Sequence, residues 1–179
     1  MTFPRRVFLA VPLLAASGSA HAQKKLEMPL TWYGVRIDEN AFTVEMPGIP
    51  DHRIVNDTSA RGTAFQLHSY SLETGGYSYV VQTALYPFDV DITQPRQILQ
   101  ASLNGRAQQL VGRQWTRTAW REIAGAAAVE AMGAVAGGNA LRQLNLLKER
   151  RFVSLAFLGN AAGVTGVEAE RFFKSLKVV

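Results

Sequence analysis

With 179 residues, a formal net charge of +5 and no cysteine, the chain has the length of one domain and no means of forming a disulfide, a thiol nucleophile or a thiolate metal site. A 47% hydrophobic share against 18% charged residues excludes a largely disordered chain. The charge is too slight for a nucleic-acid binder, which shows a much stronger basic bias.

The N-terminus reads as a targeting segment rather than as part of the fold. "MTFPRR" is a short basic region, "VFLAVPLLAA" an apolar core of secretory length, and Ala20-His21-Ala22 a small-x-small cleavage site. Residues 1–22 are therefore expected to be a signal peptide cut after Ala22, leaving a mature chain of charge +3 with no transmembrane segment, periplasmic or secreted. Arg5-Arg6-Val7-Phe8-Leu9 partly matches the twin-arginine pattern, although Pro4 and Ala10 stand where Ser/Thr and Lys are common. Both the Sec and the twin-arginine route stay open.

Residues 23–40 form an N-terminal arm, within which "TWYGVRI" reads as a short edge strand or an extended, docked segment. Residues 41–179 make a single domain. Phe42, Val44 and Met46 alternate with polar residues as in a strand, which Pro47-Gly48 and Pro50 stop. "HRIVNDT" is a weaker strand, "SARG" a turn, and "TAFQLHSYSLE" a longer strand with Phe65 and Leu67 on one face and His68, Tyr70 and Leu72 on the other. "TGG" turns the chain into an antiparallel "YSYVVQTALYP". The period then changes: Ile98, Leu99, Ser102, Leu103, Ala107, Leu110 and Val111 predict a helix over 94–111, capped by Thr93, with Pro95 in its first turn and Gly112 at its end.

"RQWTRTAWREI" returns to alternation. It places Arg113, Trp115, Arg117 and Arg121 on one face of a strand, a candidate surface for an anionic protein partner; the competing reading is a solvated strand whose arginines pair across the ladder. The following "GAAAVEAMGAVAGGNA" has the helix propensity of alanine, but four glycines oppose a helix and Glu130 with small side chains opposes a membrane span. Period-two neighbours and Gly137-Gly138-Asn139 instead predict an antiparallel hairpin of 127–135 with 140–148. "KERR" then joins two strands, the second carrying "FVSLAFL". Thr165 and Glu168 have capping-box spacing, and Ala169, Phe172, Phe173 and Leu176 give an apolar stripe for a helix over 166–176.

No G-x-S-x-G, S-x-x-K, H-E-x-x-H or phosphate-loop pattern occurs, so no catalytic residue and no cofactor is assigned. His52 and His68, with Asp51 and Asp57, are too few and too scattered for a recognisable metal set, and Asp89 and Asp91 read as a polar loop before the helix.

The order strand, P-G-x-P turn, long antiparallel strands, helix, strands and final helix resembles the PsbP/Mog-type α/β/α sandwich family, which includes extrinsic photosystem II subunits, a Ran-binding import factor and exported bacterial proteins. The resemblance rests on "FTVEMPGIP" at 42–50, Gly125 opening a small-residue strand, "ERRFVSLAF" at 149–157 and "AERFFKSLKV" at 169–178, and covers about residues 41–179. It implies an α+β fold, an antiparallel sheet with helices on both faces. It also implies a binding or assembly role without conserved chemistry, and it transfers no partner-binding residue to a position here. Two alternatives stand beside it: an exported small-ligand or metal-binding module, and a hydrolase whose site assembles only in three dimensions.

Overall fold

The computed structural model describes residues 31–37 and 41–178, so the signal peptide expected at 1–22 lies outside the described residues. The chain opens with β1 (Tyr33–Ile37) and β2 (Phe42–Met46), which pair antiparallel. After the proline-containing stop come β3 (Asp51–Thr58), β4 (Ala64–Thr74) and β5 (Tyr77–Leu85), then α1 (Pro95–Ala107). Four strands follow: β6 (Arg117–Ile123), β7 (Ala126–Val135), β8 (Asn139–Lys148) and β9 (Arg151–Asn160). The chain closes with α2 (Val167–Lys174) and β10 (Lys177–Val178).

Seven strands form one antiparallel sheet in the order β3-β4-β5-β9-β8-β7-β6, and β1-β2-β10 form a second, small one. Alternation along the strands gives the large sheet two apolar faces. One receives α2 and the small sheet: Phe42, Val44 and Met46 meet Tyr79, Leu144, Leu155, Phe157, Phe172 and Phe173 in the largest buried cluster. The other receives α1, whose Leu99 and Leu103 pack with Val129, Ala131, Leu147 and Phe152. Polar groups under α1 bond one another: buried Asn145 donates to Ser102 Oγ at 3.0 Å and accepts from Gln143 Nε2 at 2.8 Å, while Gln143 Oε1 is left without a partner. The expected antiparallel sheet with helices on both faces is present.

The small-residue stretch is a hairpin, as its neighbours' alternation predicts. Ala134 pairs with Ala140 and Val135 with Asn139, and the turn between them holds Gly137 and Gly138 at φ of 80° and 76°, which only glycine adopts without strain. Its small side chains have a use. A Cβ at Gly133 would stand 2.7 Å from Leu110 Cδ1, so the segment leaving α1 lies directly on β7 there.

Three local expectations need correction. The first helix stops at Ala107 rather than 111, because Leu110 is extended and bridges to Val135, and positive φ at Gly112 and Arg113 turns the chain into β6. Its cap position is Gln94, with no side-chain cap; Thr93 is held instead by Asp91, which accepts from both its N–H and its hydroxyl. The capping box at α2 does not form either. Thr165 belongs to a short turn, Gly163–Thr165, and its hydroxyl donates back to Ala162 O at 3.3 Å, so Gly166 takes the cap position. The third is the end of that helix, expected at 176: α2 stops at Lys174, leaving Leu176 outside it, because Lys177 and Val178 pair with β2 as β10.

Candidate functional site

The cationic candidate surface is built where α1 hands over to β6, at one edge of the large sheet. Arg113 sits in the turn before the strand, at φ 55°. Trp115 swings inward: it packs among the side chains under α1, and its Nε1 donates to Leu103 O at 3.0 Å. Thr116 then locks to Met132 O through its N–H at 2.8 Å and its hydroxyl at 3.0 Å, and regular pairing begins. Arg117 stands opposite Met132 and Arg121 opposite Ala128, so these two share the sheet face that carries α2. Of the four residues expected on one stripe, Arg117 and Arg121 are brought together, Arg113 flanks them at the turn, and Trp115 lies on the other side of the sheet.

A different tryptophan marks the surface. Trp120 is 36% exposed, on the α1 side of the sheet, and the Arg96 guanidinium lies 5.5 Å from its ring centroid. Sequence alternation contains the signal, since Trp120 has the opposite parity to Arg121, but its pairing with an arginine of α1 depends on how the helix packs.

This edge is braced from behind by a chain of ion pairs. Arg121 Nη2 lies 2.9 Å from Glu130 Oε2, Arg142 Nε 2.7 Å from Glu130 Oε1, Arg142 Nη1 2.6 Å from Glu170 Oε1, and Lys174 Nζ 3.0 Å from Glu170 Oε2. The Arg142 side chain is only 7% exposed and lies over the Phe173 ring at 4.5 Å. The hydrogen bond from Arg142, and then that from Lys174, holds the Glu170 carboxyl below its ordinary range. Arg113 and Arg117 make no ion pair among the described residues, so their charge is directed to solvent or to a partner.

The other polar groups singled out in the sequence are engaged locally. His52 and His68 share a 3.2 Å contact between Nε2 and Nδ1, and His52 stacks on Tyr70 with centroids 4.3 Å apart. Among the described residues no three metal-ligating side chains gather. Asp57 accepts from the Thr58 N–H at 2.7 Å, and Asp89 accepts from the Ser59 hydroxyl. The hydrogen bond from Ser59 lowers the Asp89 carboxyl, and the hydrogen bonds from Thr93 lower that of Asp91.

One cleft of about 380 Å³ opens where β4 and β5 part company beyond the Leu67–Ala84 pair. Phe65, His68, Thr83, Leu85, Tyr86 and Phe88 line it. Arg150 fixes its rim, donating to the carbonyls of Tyr86, Pro87 and Val90. Thr83 Oγ1 and the Tyr86 hydroxyl are buried without a hydrogen-bond partner behind its walls, and burial pushes the Tyr86 phenol well above its usual range. The cleft therefore offers mainly apolar contact. No sequence pattern points to it, because its walls come from strand ends that diverge only in space.

No protein-family model matches the sequence, and no curated protein matches it. Among solved structures, the chain is similar to the solution structure of cyanobacterial PsbP (CyanoP) from Synechocystis sp. PCC 6803, with a TM-score of 0.53 and 10% identity, over 91% of this chain and 99% of that chain. At that identity the likeness carries the fold and leaves the side chains of the site to be argued on their own. The seven-stranded antiparallel sheet, its two helices and this match together give the chain a PsbP-like fold.

Proposed function

We propose that the protein is an exported, non-enzymatic binding or assembly factor that engages a protein partner through the cationic edge at β6. The observation that carries this reading is the exposed arginine group of Arg117 and Arg121 on β6, with Arg113 in the turn before it, on an edge braced through Glu130 and Arg142 to α2. A cluster of cations on a braced strand attracts an acidic protein surface, and Arg121, already held by Glu130, costs less side-chain ordering on contact than the freer Arg113 and Arg117. A non-catalytic role agrees with a PsbP-like fold, and export agrees with the signal-peptide pattern of residues 1–22.

The test is affinity capture from periplasmic extract with the wild-type chain and with Arg117→Glu. Arg117 has no internal ion pair, so its reversal leaves the Glu130–Arg142 bracing intact. Loss of a wild-type partner on reversal supports the edge as its footprint. Unchanged capture dismisses this site, and recovery of no partner by the wild-type chain counts against the function.

A second reading rests on the cleft between β4 and β5, whose walls of Phe65, Leu85, Tyr86 and Phe88 suit a small, mainly apolar ligand. Native mass spectrometry of the exported protein tests it. A mass above the bare chain supports it, and the bare-chain mass removes it.

A further inference from the structure

We infer that β3, the edge opposite β6, is a self-association edge, on which a second copy of the chain adds its own β3 antiparallel to make one continuous sheet across a twofold axis. The surface proposed above is not involved.

Edge strands are usually blunted by charged side chains, above all lysine, by proline or by a bulge. β3 has no lysine, proline or bulge, and its charges, Asp51, Arg53 and Asp57, are of both signs: its sequence is Asp-His-Arg-Ile-Val-Asn-Asp-Thr, and all eight residues pair in unbroken register with β4. It is largely exposed, with Ile54 52% accessible. Which backbone groups face outward follows from the turn. The Ser59 N–H donates to Thr63 O at 2.8 Å, and hydrogen-bonded pairs recur every second residue along an antiparallel ladder. Asp57, Val55 and Arg53 thus turn their amides toward β4. Thr58, Asn56, Ile54 and His52 turn theirs to the open side.

A twofold axis perpendicular to the sheet keeps each face on its own side, so facing residues must have the same parity. Only a few registers remain. Centred on Val55, the pairing sets Ile54 against Asn56 and His52 against Thr58, the residues whose backbone faces outward; of their amides, that of Thr58 is already held by Asp57 Oδ1, so Ile54 and Asn56 carry the central pair of bonds. It also sets Val55 against its own copy and Arg53 against Asp57 twice, at the positions where facing side chains approach most closely. Neither Arg53 nor Asp57 has an ion-pair partner among the described residues, and only one Asp57 oxygen is engaged, by the Thr58 N–H. Centring on Ile54 opposes Asp51 to Asp57. Centring on Arg53 opposes two arginines, and centring on Asn56 shortens the overlap and sets Val55 against Asp57.

The same exercise on β6 selects against self-pairing. Centring on Ala119 opposes Arg117 to Arg121, centring on Arg121 opposes that residue to itself, and centring on Trp120 forms no opposite-charge pair. Of the two open edges, β3 alone is complementary to itself.

Sedimentation equilibrium of the purified protein, from ~1 to ~100 µM, tests this, since a single strand pairing is expected to associate in the micromolar range or weaker. The wild-type chain is expected to move toward dimer as concentration rises, less so at high salt. Arg53→Asp and Asp57→Arg, each alone, should weaken the dimer by ~10-fold or more, because each opposes like charges twice. Mixed in equal amounts, the two variants should dimerise again, since each then meets its complement at both positions; a misfolded chain cannot produce that recovery. Amide exchange at Ile54 and Asn56 should slow with concentration while that at Val55 does not change. A wild-type chain that is monomeric throughout, single variants as dimeric as wild type, or a mixture no better than its components would each overturn the inference.

Discussion

Arg142 Nη1 lies 2.6 Å from Glu170 Oε1, so one guanidinium on an interior strand ties the C-terminal helix to the large sheet. The same side chain holds Glu130 at 2.7 Å and is almost fully buried. Replacing it leaves Glu130 to Arg121 alone and Glu170 to Lys174 alone. Arg142→Met is expected to cost about 1–3 kcal/mol, less than the loss of a fully buried partner because each carboxylate keeps one cation. Urea denaturation would show it as a lower midpoint. Lys174→Met, which removes an exposed i,i+4 pair, should shift the midpoint by about 0.5 kcal/mol or less.

Glu170 also sets a pH dependence. Its carboxyl is depressed below the ordinary 4.5 in the folded state, by Arg142 first and then Lys174. A depressed folded value means that its contribution to stability is fully present above the unfolded pKa and is lost as pH falls through the folded one. The stability difference between the wild-type chain and Glu170→Gln should therefore be constant near neutrality and shrink below about pH 4.5. Denaturation midpoints of both proteins at several pH values between 7 and 3 measure it. A difference that stays constant down to pH 3 contradicts the assignment.

Tyr77 rests on two glycines. A Cβ at Gly159 would stand 2.6 Å from its Cδ1, and one at Gly163 would stand 2.5 Å from its Cε1. The ring is also packed against Phe157, with centroids 5.1 Å apart, so it has little room to yield. Gly163→Ala is expected to destabilise by about 1–3 kcal/mol. In the background of Tyr77→Ser the same substitution should cost little, which a double-mutant cycle by thermal unfolding would reveal. Gly34→Ala, with open space around it, serves as the neutral control.

Much of this architecture is legible in the sequence because hydrophobic periodicity is a local signal. The hairpin of β7 and β8, the strands on either side of Gly75 and Gly76, and the stripe of Ala169, Phe172 and Phe173 are all read from neighbours. The failures share a cause as well. Leu110 continues the helical spacing of α1, yet β7 captures it as an extended residue. Trp115 keeps the parity of Arg117 in sequence, but the irregular turn at Gly112 and Arg113 precedes it, and its indole finds a carbonyl on α1. Thr165 has the spacing of a cap and spends its hydroxyl on the preceding turn. The candidate edge at β6 was half legible for the same reason: Arg117 and Arg121 lie in regular strand, whereas Arg113 and Trp115 do not. The cleft was not legible at all, since the divergence of β4 from β5 is a property of the sheet's end and not of any one segment.

The small sheet joins the earliest and the latest of the described strands on one strand between them. β2 carries β1 on one side and β10 on the other, and Glu45 N–H also donates to Ser175 Oγ across a separation of 130 residues. The hairpins β1–β2, β3–β4, β4–β5, β7–β8 and β8–β9 close over short loops and can form early, but the pairing of β2 with β10 must wait until Lys177 is present. A chain released before Lys177 would keep its large sheet's local pairings and leave the inner side of β2 with no strand to bond. Completion of the small sheet thus requires residues as late as Lys177, and loss of β10 should loosen β2, more than a hundred residues earlier in the chain.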